Sequence, residues 1–267
     1  MHISALTSYP IKSCAGIGHA SIQLTPTGLE GDRSWMLIGP QGRFVSARQF
    51  NRMLLIRPQE SSQGILIKAR GMLDLEIPFP EKDQAVQVEI WKDQLQALDA
   101  GDEASQWLSD FLGTDCRLVY GGEATTRKVN APSAGPDHTV LFADSSPLLI
   151  ISEASLEALN GKLGESFAMT RFRPNIVITG GAAYAEDGWR RIRIGEVELF
   201  EAKPCVRCTL TTIDPVTAMF HPGREPLASL KKLRMLPGEG AVFGKLFIPE
   251  STGLLNVGDT LSVTDWV

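Results

Sequence analysis

The chain lacks several features that would place it in a class at once. Its 267 residues contain no apolar run near the roughly 18 residues that a membrane-spanning helix needs. The start, "MHISALTSYPIKS", is too polar for a secretory signal, so we expect a cytoplasmic protein with no membrane partner. Positive charge is not in excess, because 26 Lys and Arg residues face 31 Asp and Glu residues. The net charge of −5 argues against a general nucleic-acid partner.

Cysteine is also scarce, and four cysteines in a chain this long do not make a disulfide scaffold. Two of them, Cys205 and Cys208, lie together in the stretch "KPCVRCTLTT". A structural zinc site usually takes a second such pair or paired histidines. The other candidate ligands are scattered along the chain: Cys14, Cys116, His2, His19, His138 and His221.

The residues around the pair predict a strand from Arg207 to Ile213, ended by Asp214-Pro215. A disulfide across this spacing is strained in a strand, because neighbouring side chains point apart. A thioredoxin-type dithiol normally opens a helix, whose N-terminus lowers the thiol pKa. Disulfide, zinc site and redox dithiol all stay open as alternatives. A single Cys208 thiolate beside Arg207 fits best as a soft metal ligand, and it would need a cofactor that brings further ligands.

The first block of the chain is dominated by strand patterns. Short alternating segments predict hairpins in "GDRSWMLIGPQGRFVSA", "GILIKARGMLDLEIPF" and "QAVQVEIWKDQLQALD". A helix is predicted in "GDEASQWLSDFLG", with Asp102 as N-cap and Gly113 as its end. The polar segment 121–147 is predicted to be a long loop.

The second block mixes apolar strands with two short helices. One helix is predicted to be capped by Ser152, and the other, in "EPLASLKKLR", to bury Leu227, Leu230 and Leu233. We place a domain boundary after residue 122, which gives a β-rich domain at 1–122 and a second domain at 123–267. The predicted fold class is α+β, mainly β, containing a barrel.

Short polar and cationic groups are predicted at the ends of several strands. Such positions bind anions through backbone N–H groups and side-chain donors, and arginine suits two-point phosphate contacts. Each of these residues alone could be an ordinary solvated charge or a turn cap, so their weight comes from their combination with the cysteine pair. They are Lys12, Ser13, Arg33, Asp144, Ser145, Ser146, Arg173 and Asn175.

Taken in chain order, the motifs resemble those of a known family. The second block resembles the MOSC domain, and the first resembles the β-rich domain that often precedes it. The whole order is similar to that of the mitochondrial amidoxime-reducing components and their bacterial relatives. The motifs are "YPIKSC", "GDRSWML", "VSARQ", Asp144 followed by "SSPLLIISEASLEALN", "RFRPNIVI", "CVRCTLTTIDP" and "GLLNVGD".

The resemblance implies a molybdenum cofactor, molybdenum bound to molybdopterin, with Cys208 as the protein's metal ligand and catalytic residue. The cofactor's dithiolene would add two further sulfurs, and its phosphate would need cationic partners. Because these residues come from both blocks, the site is expected between them. The cofactor contacts implied by the match are Lys12, Ser13, Arg33, Asp144, Ser145, Ser146, Arg173, Asn175 and Arg207.

The activity implied by the resemblance is reduction of small N-hydroxylated compounds such as amidoximes, hydroxylamines and N-hydroxylated bases. Some relatives carry a C-terminal iron–sulfur domain, whereas this chain ends with "DTLSVTDWV". A separate electron-donor reductase, a flavin or iron–sulfur protein, is therefore expected. Two alternatives stay open: a non-catalytic carrier of the cofactor or of sulfur, for which Cys205 beside Cys208 would suit persulfide handling, and a structural zinc or simple ligand-binding module.

Overall fold

The computed structural model describes residues 1–122, 125–129 and 138–267. The predicted loop at 121–147 lies partly outside the described residues. Residue 123, where the second predicted domain begins, lies outside them too, so the boundary stays a prediction. Within the described ranges no helix is long and apolar enough to cross a membrane.

Strands make up most of the regular structure in the described ranges, as the predicted class requires. The strands are β1 His2–Ser8, β2 Ile17–His19, β3 Ser21–Thr25, β4 Gly28–Leu29, β5 Trp35–Ile38, β6 Arg57–Ser61, β7 Gly64–Lys68, β8 Leu75–Pro78, β9 Ala85–Ile90, β10 Asp93–Asp99, β11 Arg117–Tyr120, β12 Arg127–Lys128, β13 Thr139–Val140, β14 Leu148–Ser152, β15 Ile176–Thr179, β16 Trp189–Ile194, β17 Val197–Val206, β18 Met235–Leu236, β19 Gly240–Pro249, β20 Gly253–Asn256 and β21 Leu261–Trp266. The α-helices are α1 Asp102–Leu112, α2 Glu153–Leu163 and α3 Leu227–Leu233.

The largest sheet runs in the order β2-β1-β15-β14-β19-β17-β16-β21, with β18 paired to β19. The pair β14–β15 is parallel, and its neighbours are antiparallel. The two ends of this order approach each other. The N–H of Ile3 donates to the carbonyl of Asp259 at 2.9 Å, and that of Leu261 donates to the carbonyl of Met1 at 2.9 Å. The sheet therefore curls into a barrel around an apolar core that includes Leu6, Ile150, Ile178, Trp189 and Phe247.

The first block contains its own smaller sheets, in the orders β5-β11-β10-β9 and β6-β7-β8. The predicted turns of its last two hairpins are confirmed, since β7 pairs with β8 and β9 with β10. Helix α1 buries Trp107, Leu108 and Phe111 against this block's core, which also holds Trp35 and Ile65. That is the apolar stripe predicted from the helical spacing.

The start of the chain belongs structurally to the second block. Strand β1 pairs with β15, and β3 pairs with β20 near the other end of the chain. The chain leaves β1 and then reaches Lys12 and Ser13, where the two blocks meet. Strand β1 is held in the barrel by hydrogen bonds to neighbouring strands on both sides. The backbone that leads from β1 to Lys12 and Ser13 therefore starts from a fixed position.

Helix ends agree with the predicted caps in part. The hydroxyl of Ser152 accepts the N–H of Ser155 at 3.1 Å, as predicted. Asp102 is not the N-cap of α1: Gly101 holds that position at φ 90, and the Asp102 carboxylate instead accepts from Arg117 at 2.8 Å. Leu227 and Leu230 are buried as predicted, whereas Leu233, the last residue of α3, is 46 % exposed.

The predicted strand from Arg207 to Ile213 is wrong. Strand β17 ends at Val206, and Thr209–Thr212 forms a 3-10 turn. The threonines that suggested a strand cause the turn. The Thr211 hydroxyl donates to the Cys208 carbonyl at 2.9 Å, and the Thr212 hydroxyl donates to the Thr209 carbonyl at 2.7 Å. Such local bonds to the backbone compete with strand pairing. Cys205 therefore lies at the end of a strand, and Cys208 directly precedes a turn.

Candidate functional site

A single cavity of about 750 Å³ collects the residues that the sequence singled out. This size is typical of small-molecule and cofactor sites, which run from about 300 to 1,000 Å³. Its walls come from both blocks of the chain. The predicted residues among its lining are Lys12, Ser13, Arg33, Asp144, Ser145, Ser146, Arg173, Asn175, Arg207 and Cys208, which is the complete predicted set.

The Lys12 ammonium is held by two groups of one chain segment, residues 142–144. Its ammonium donates to the carbonyl of Phe142 at 2.8 Å and forms an ion pair with Asp144. Loss of solvent on burial lowers the Lys12 pKa from its ordinary value, and the Asp144 carboxylate acts in the opposite direction. Lys12 thus joins residues that are 132 positions apart in the chain.

Three cavity residues adopt the left-handed backbone conformation without being glycine. Their φ angles are 71° at Ser13, 50° at Arg33 and 58° at Arg173. Non-glycine residues rarely adopt this region, and such backbone strain is concentrated at functional sites. Surrounding hydrogen bonds hold it in place: the N–H of Arg33 donates to the Tyr9 carbonyl at 2.9 Å.

Tyr9 forms the centre of the basic wall, although it does not line the cavity. The guanidinium carbons of Arg33 and Arg173 lie 4.5 Å and 4.1 Å from the centroid of its ring. Asp32 pairs with Arg33 and accepts the N–H of Tyr9 at 2.7 Å. Cationic groups over an aromatic ring are attracted by its electron-rich face. The ring therefore places two guanidinium groups next to each other despite their mutual repulsion.

Arg173 gains little compensation from other protein groups. Its Nη1 donates to the Cys14 carbonyl at 2.7 Å. Loss of solvent on burial lowers its pKa from the ordinary value of an arginine to about 10. Burial of a cation is unfavourable unless an anion compensates it, so an anionic ligand in the cavity would remove part of this cost.

Asn175 is engaged by the protein itself. Its Oδ1 accepts from Arg33 at 3.0 Å and from the N–H of Leu149 at 3.2 Å, and its Nδ2 donates to the Thr7 carbonyl at 3.2 Å. These bonds tie β1 and β14 to the residue that precedes β15. Asn175 therefore orients Arg33 and closes the barrel end, whatever contact it makes with a ligand.

Two buried polar atoms at the cavity have no hydrogen-bond partner within the described residues. They are Oγ of Ser146 and Nε of Arg207. Buried polar groups are nearly always paired, and an unpaired one needs a specific explanation. A ligand rich in oxygen acceptors would satisfy both.

The two cysteines of the pair are free thiols with different surroundings. Cys205 is half-buried, and Arg207 Nη1 contacts its sulfur at 2.9 Å. Arg207 Nη2 is fixed by the Phe172 carbonyl at 2.5 Å. Cys208 is exposed and lines the cavity. Its carbonyl accepts from the N–H and the hydroxyl of Thr211, so the backbone of Cys208 is held while its sulfur is left accessible.

The disulfide and zinc alternatives gain no support from this geometry. All four cysteines are unpaired. No group of three or more His, Cys, Asp or Glu side chains that could hold a metal ion occurs in the described ranges. A metal at Cys208 would therefore depend on ligands brought by another molecule.

Sequence reasoning missed part of the cavity. Arg48 and Lys203 add cationic groups, and Phe172 and Leu246 add apolar surface. Arg48 lies inside the motif "VSARQ", which was an available signal. The described lining holds six Lys and Arg side chains against three Asp and Glu side chains, so its charge suits an anion.

The donor set fits the implied cofactor. A phosphate finds Lys12 and several guanidinium groups, the unpaired Ser146 and Arg207 atoms offer further donors, and the accessible Cys208 thiol offers a soft metal ligand. Fold and cavity together define a β-barrel protein with a basic, two-sided cavity whose charge and size suit a large anionic ligand.

Comparison with known proteins narrows this class. The family model for the MOSC N-terminal beta barrel domain matches residues 1–115, and the family model for the MOSC domain matches residues 137–262. Mitochondrial amidoxime-reducing component 1 of Mus musculus is 38% identical over 275 residues, which cover 96% of this chain and 80% of the relative. Component 2 of Bos taurus is 35% identical over 274 residues, with coverage of 96% and 81%. The chain is therefore a MOSC-domain protein and belongs to the family of the mitochondrial amidoxime-reducing components.

Proposed function

We propose that this protein is a molybdenum-cofactor-dependent oxidoreductase that reduces small N-hydroxylated compounds, amidoximes first among them. Support comes from the names of the relatives, which are amidoxime-reducing components, and from the MOSC domain itself. The observation that carries the proposal is the pairing of an accessible Cys208 thiol with a basic wall in one cavity.

The basic wall would hold the anionic part of the cofactor. Lys12 presents a point charge, whereas Arg33 and Arg173 present planar donors suited to two-point contacts with phosphate. Ser13, Ser145 and Ser146 add hydroxyl or backbone donors. Because Tyr9 and Asn175 already fix the two arginines, little side-chain freedom would be lost on binding.

The thiol end would hold the metal. Cys208 would be the protein ligand to molybdenum, and Arg207, whose guanidinium contacts the sulfur of Cys205, would add positive charge to this end of the cavity. When bound, the cofactor supplies two-electron chemistry by which an N–OH group becomes N–H and water, consuming two electrons and two protons. Because Cys208 is exposed, a substrate could reach the bound metal from the solvent side of the cavity.

Electrons would come from a separate donor, a flavin or iron–sulfur reductase. We also propose that the protein is cytoplasmic and works without a nucleic-acid or membrane partner.

The test is turnover. Protein produced in cells able to make the cofactor is given a chemical reductant and benzamidoxime, and benzamidine formation is followed by chromatography. Formation that depends on both protein and reductant supports the reductase. Molybdenum-loaded protein that fails to turn over any amidoxime or hydroxylamine would favour the cofactor carrier, for which the Arg207 contact to Cys205 at 2.9 Å is the favouring observation.

A further inference from the structure

Two buried arginines lie behind the cavity and do not line it: Arg127 and Arg171. Their side chains are 6% and 8% exposed. Neither occurs among the residues that the sequence motifs assigned to the cofactor. A guanidinium is unfavourable to bury unless it is paired, so its partners indicate what it is there to hold.

Arg171 binds the chain segment that carries Cys208. Its Nη2 pairs with Asp214 at 3.0 Å, and its Nη1 reaches the Thr211 carbonyl at 3.5 Å. Thr211 in turn donates both its N–H and its hydroxyl to the Cys208 carbonyl, at 3.2 Å and 2.9 Å. Asp214 also accepts the N–H groups of Val216 and Thr217, both at 2.9 Å. Arg171 thus connects the segment that leads into β15 to the turn on which Cys208 is presented.

Arg127 binds the chain segment that carries Ser146. Its Nε pairs with Asp93 at 2.8 Å, and its Nη1 donates to the Ala143 carbonyl at 2.8 Å. The carbonyl of the preceding residue accepts the Lys12 ammonium, and the following residue, Asp144, forms the ion pair with Lys12. Arg127 therefore fixes the backbone between the two groups that hold Lys12.

The two arrangements share one design. In each, a buried guanidinium is fixed by one carboxylate, 36% exposed for Asp214 and 49% for Asp93. In each, the guanidinium also donates to a backbone carbonyl in a cavity wall. A buried ion pair adds little stability over a well-packed apolar group, but its planar donors fix direction. A direction-setting role explains why the chain keeps a buried charge at both places.

We propose that Arg171 and Arg127 are positioning residues for two separate walls of the site. Arg171 orients the cysteine segment, residues 208–214, and Arg127 orients the serine segment, residues 143–146. What these walls hold rests on the proposed function. The positioning itself does not depend on it.

The test uses Arg171→Gln and Arg127→Gln in the full chain, each serving as the matched control for the other. Amide hydrogen exchange is measured by mass spectrometry on cofactor-free protein. Arg171→Gln should speed exchange about tenfold in peptides that cover 207–214 and leave 139–146 unchanged, because one charge-assisted hydrogen bond to that segment is lost. Arg127→Gln should give the reverse pattern.

A second readout uses molybdenum-loaded protein. Arg171→Gln should alter the visible absorption of the metal centre at an unchanged molybdenum-to-protein ratio, since the metal ligand is displaced. Arg127→Gln should leave the spectrum unchanged and release the pterin about tenfold faster, since the phosphate side is loosened. Should a Gln variant unfold, Arg171→Lys or Arg127→Lys is measured instead, because lysine keeps the ion pair and loses the carbonyl bond.

The outcomes distinguish the positioning roles of Arg171 and Arg127 from the proposed function of the protein. Exchange that rises equally in both segments, or across the whole chain, in both variants would overturn the positioning roles and leave only general stabilisation. Wild-type protein that takes up no molybdenum would sink the proposed function, and the exchange pattern would still decide the positioning roles.

Discussion

The two ends of the cavity are built in opposite ways. At the basic end, Lys12, Arg33 and Arg173 each donate a side-chain hydrogen bond to the protein, and two of the three hold strained backbone. At the thiol end, Cys208 is exposed, and only its backbone is fixed. Under the proposed function this difference gives a division of labour, in which the basic end would be preorganised to bind the cofactor and the thiol end would be open for chemistry.

The cysteines repeat this contrast. Cys14, next to Arg173, is fully buried, and burial raises the pKa of its thiol to about 12. Cys208 is exposed beside Arg207. A thiol reacts or binds a metal as thiolate and only where it is accessible. Cys14 therefore packs as a small apolar residue, whereas the Cys208 thiol is accessible, as its proposed role requires.

The largest effect should come from removing the sulfur at the thiol end. Cys208→Ala should abolish molybdenum retention and amidoxime reduction, because it deletes the only metal ligand that the protein is proposed to supply. Metal analysis by mass spectrometry and the benzamidine assay measure the two losses.

Cys205→Ala is the matched control. It removes a sulfur of the same pair, three positions away, and should spare most of the metal and the activity. Equal losses in both variants would show that the cysteines act together, and would revive the dithiol interpretation.

A smaller effect is expected from removing one cation at the basic end. Arg173→Ala should weaken cofactor retention by about tenfold to a hundredfold, as expected for loss of a charge-assisted contact to phosphate. The melting temperature of the cofactor-free protein should change little, because burial of this cation is poorly compensated there. Release of the pterin, followed by fluorescence, measures retention. A large drop in melting temperature would instead make Arg173 a structural residue.

Ser146→Ala should have a modest effect confined to the loaded protein. The Ser146 hydroxyl is buried and lacks a partner in the described ranges, so removing it should leave the cofactor-free protein as stable or slightly more stable. Retention of the cofactor should fall by about threefold to tenfold, the value of one hydrogen bond. A loss of stability without the cofactor would mean that the hydroxyl already has a structural partner.

The smallest effect concerns Cys14 and alkaline pH. The unfolded chain loses the thiol proton near its ordinary pKa of 9.0, whereas the folded protein keeps it up to about 12. Between these values the unfolded state binds fewer protons, so the free energy of unfolding falls by about 1.4 kcal/mol per pH unit. Below pH 9 this contribution is absent.

Urea unfolding at about pH 8 and about pH 10, on either side of the ordinary thiol pKa, compares the wild type with Cys14→Ala. The substitution should lower stability at both values by creating a small cavity, and it should reduce the difference between them. An unchanged difference would show that Cys14 ionises as easily in the folded protein as in the unfolded chain.

Sequence reasoning found the cavity residues because each lies in a short local motif at a predicted strand end. Lys12, Arg33, Arg173 and Ser146 could each be recognised from such a motif without knowledge of the fold. It failed where an outcome depended on competing local bonds. Thr209–Thr212 has strand-forming composition, yet its hydroxyls bond to nearby carbonyls and form a 3-10 turn.

The supporting residues were also beyond reach. Nothing in the sequence separates buried Arg171 from cavity-lining Arg173, two positions later in the same motif. The difference arises from which face of the chain meets Thr211 and Asp214, 40 and 43 positions away. Tyr9 is missed for the same reason, since its two cationic neighbours come from distant segments.

The most direct test is the metal and pterin content of the purified wild-type protein, produced in cells able to make the cofactor. Molybdenum at about one atom per chain together with pterin fluorescence is the predicted result, because the basic end and the Cys208 thiol are proposed to bind one molecule between them. Zinc alone, or a protein free of both molybdenum and pterin, would contradict the proposed function.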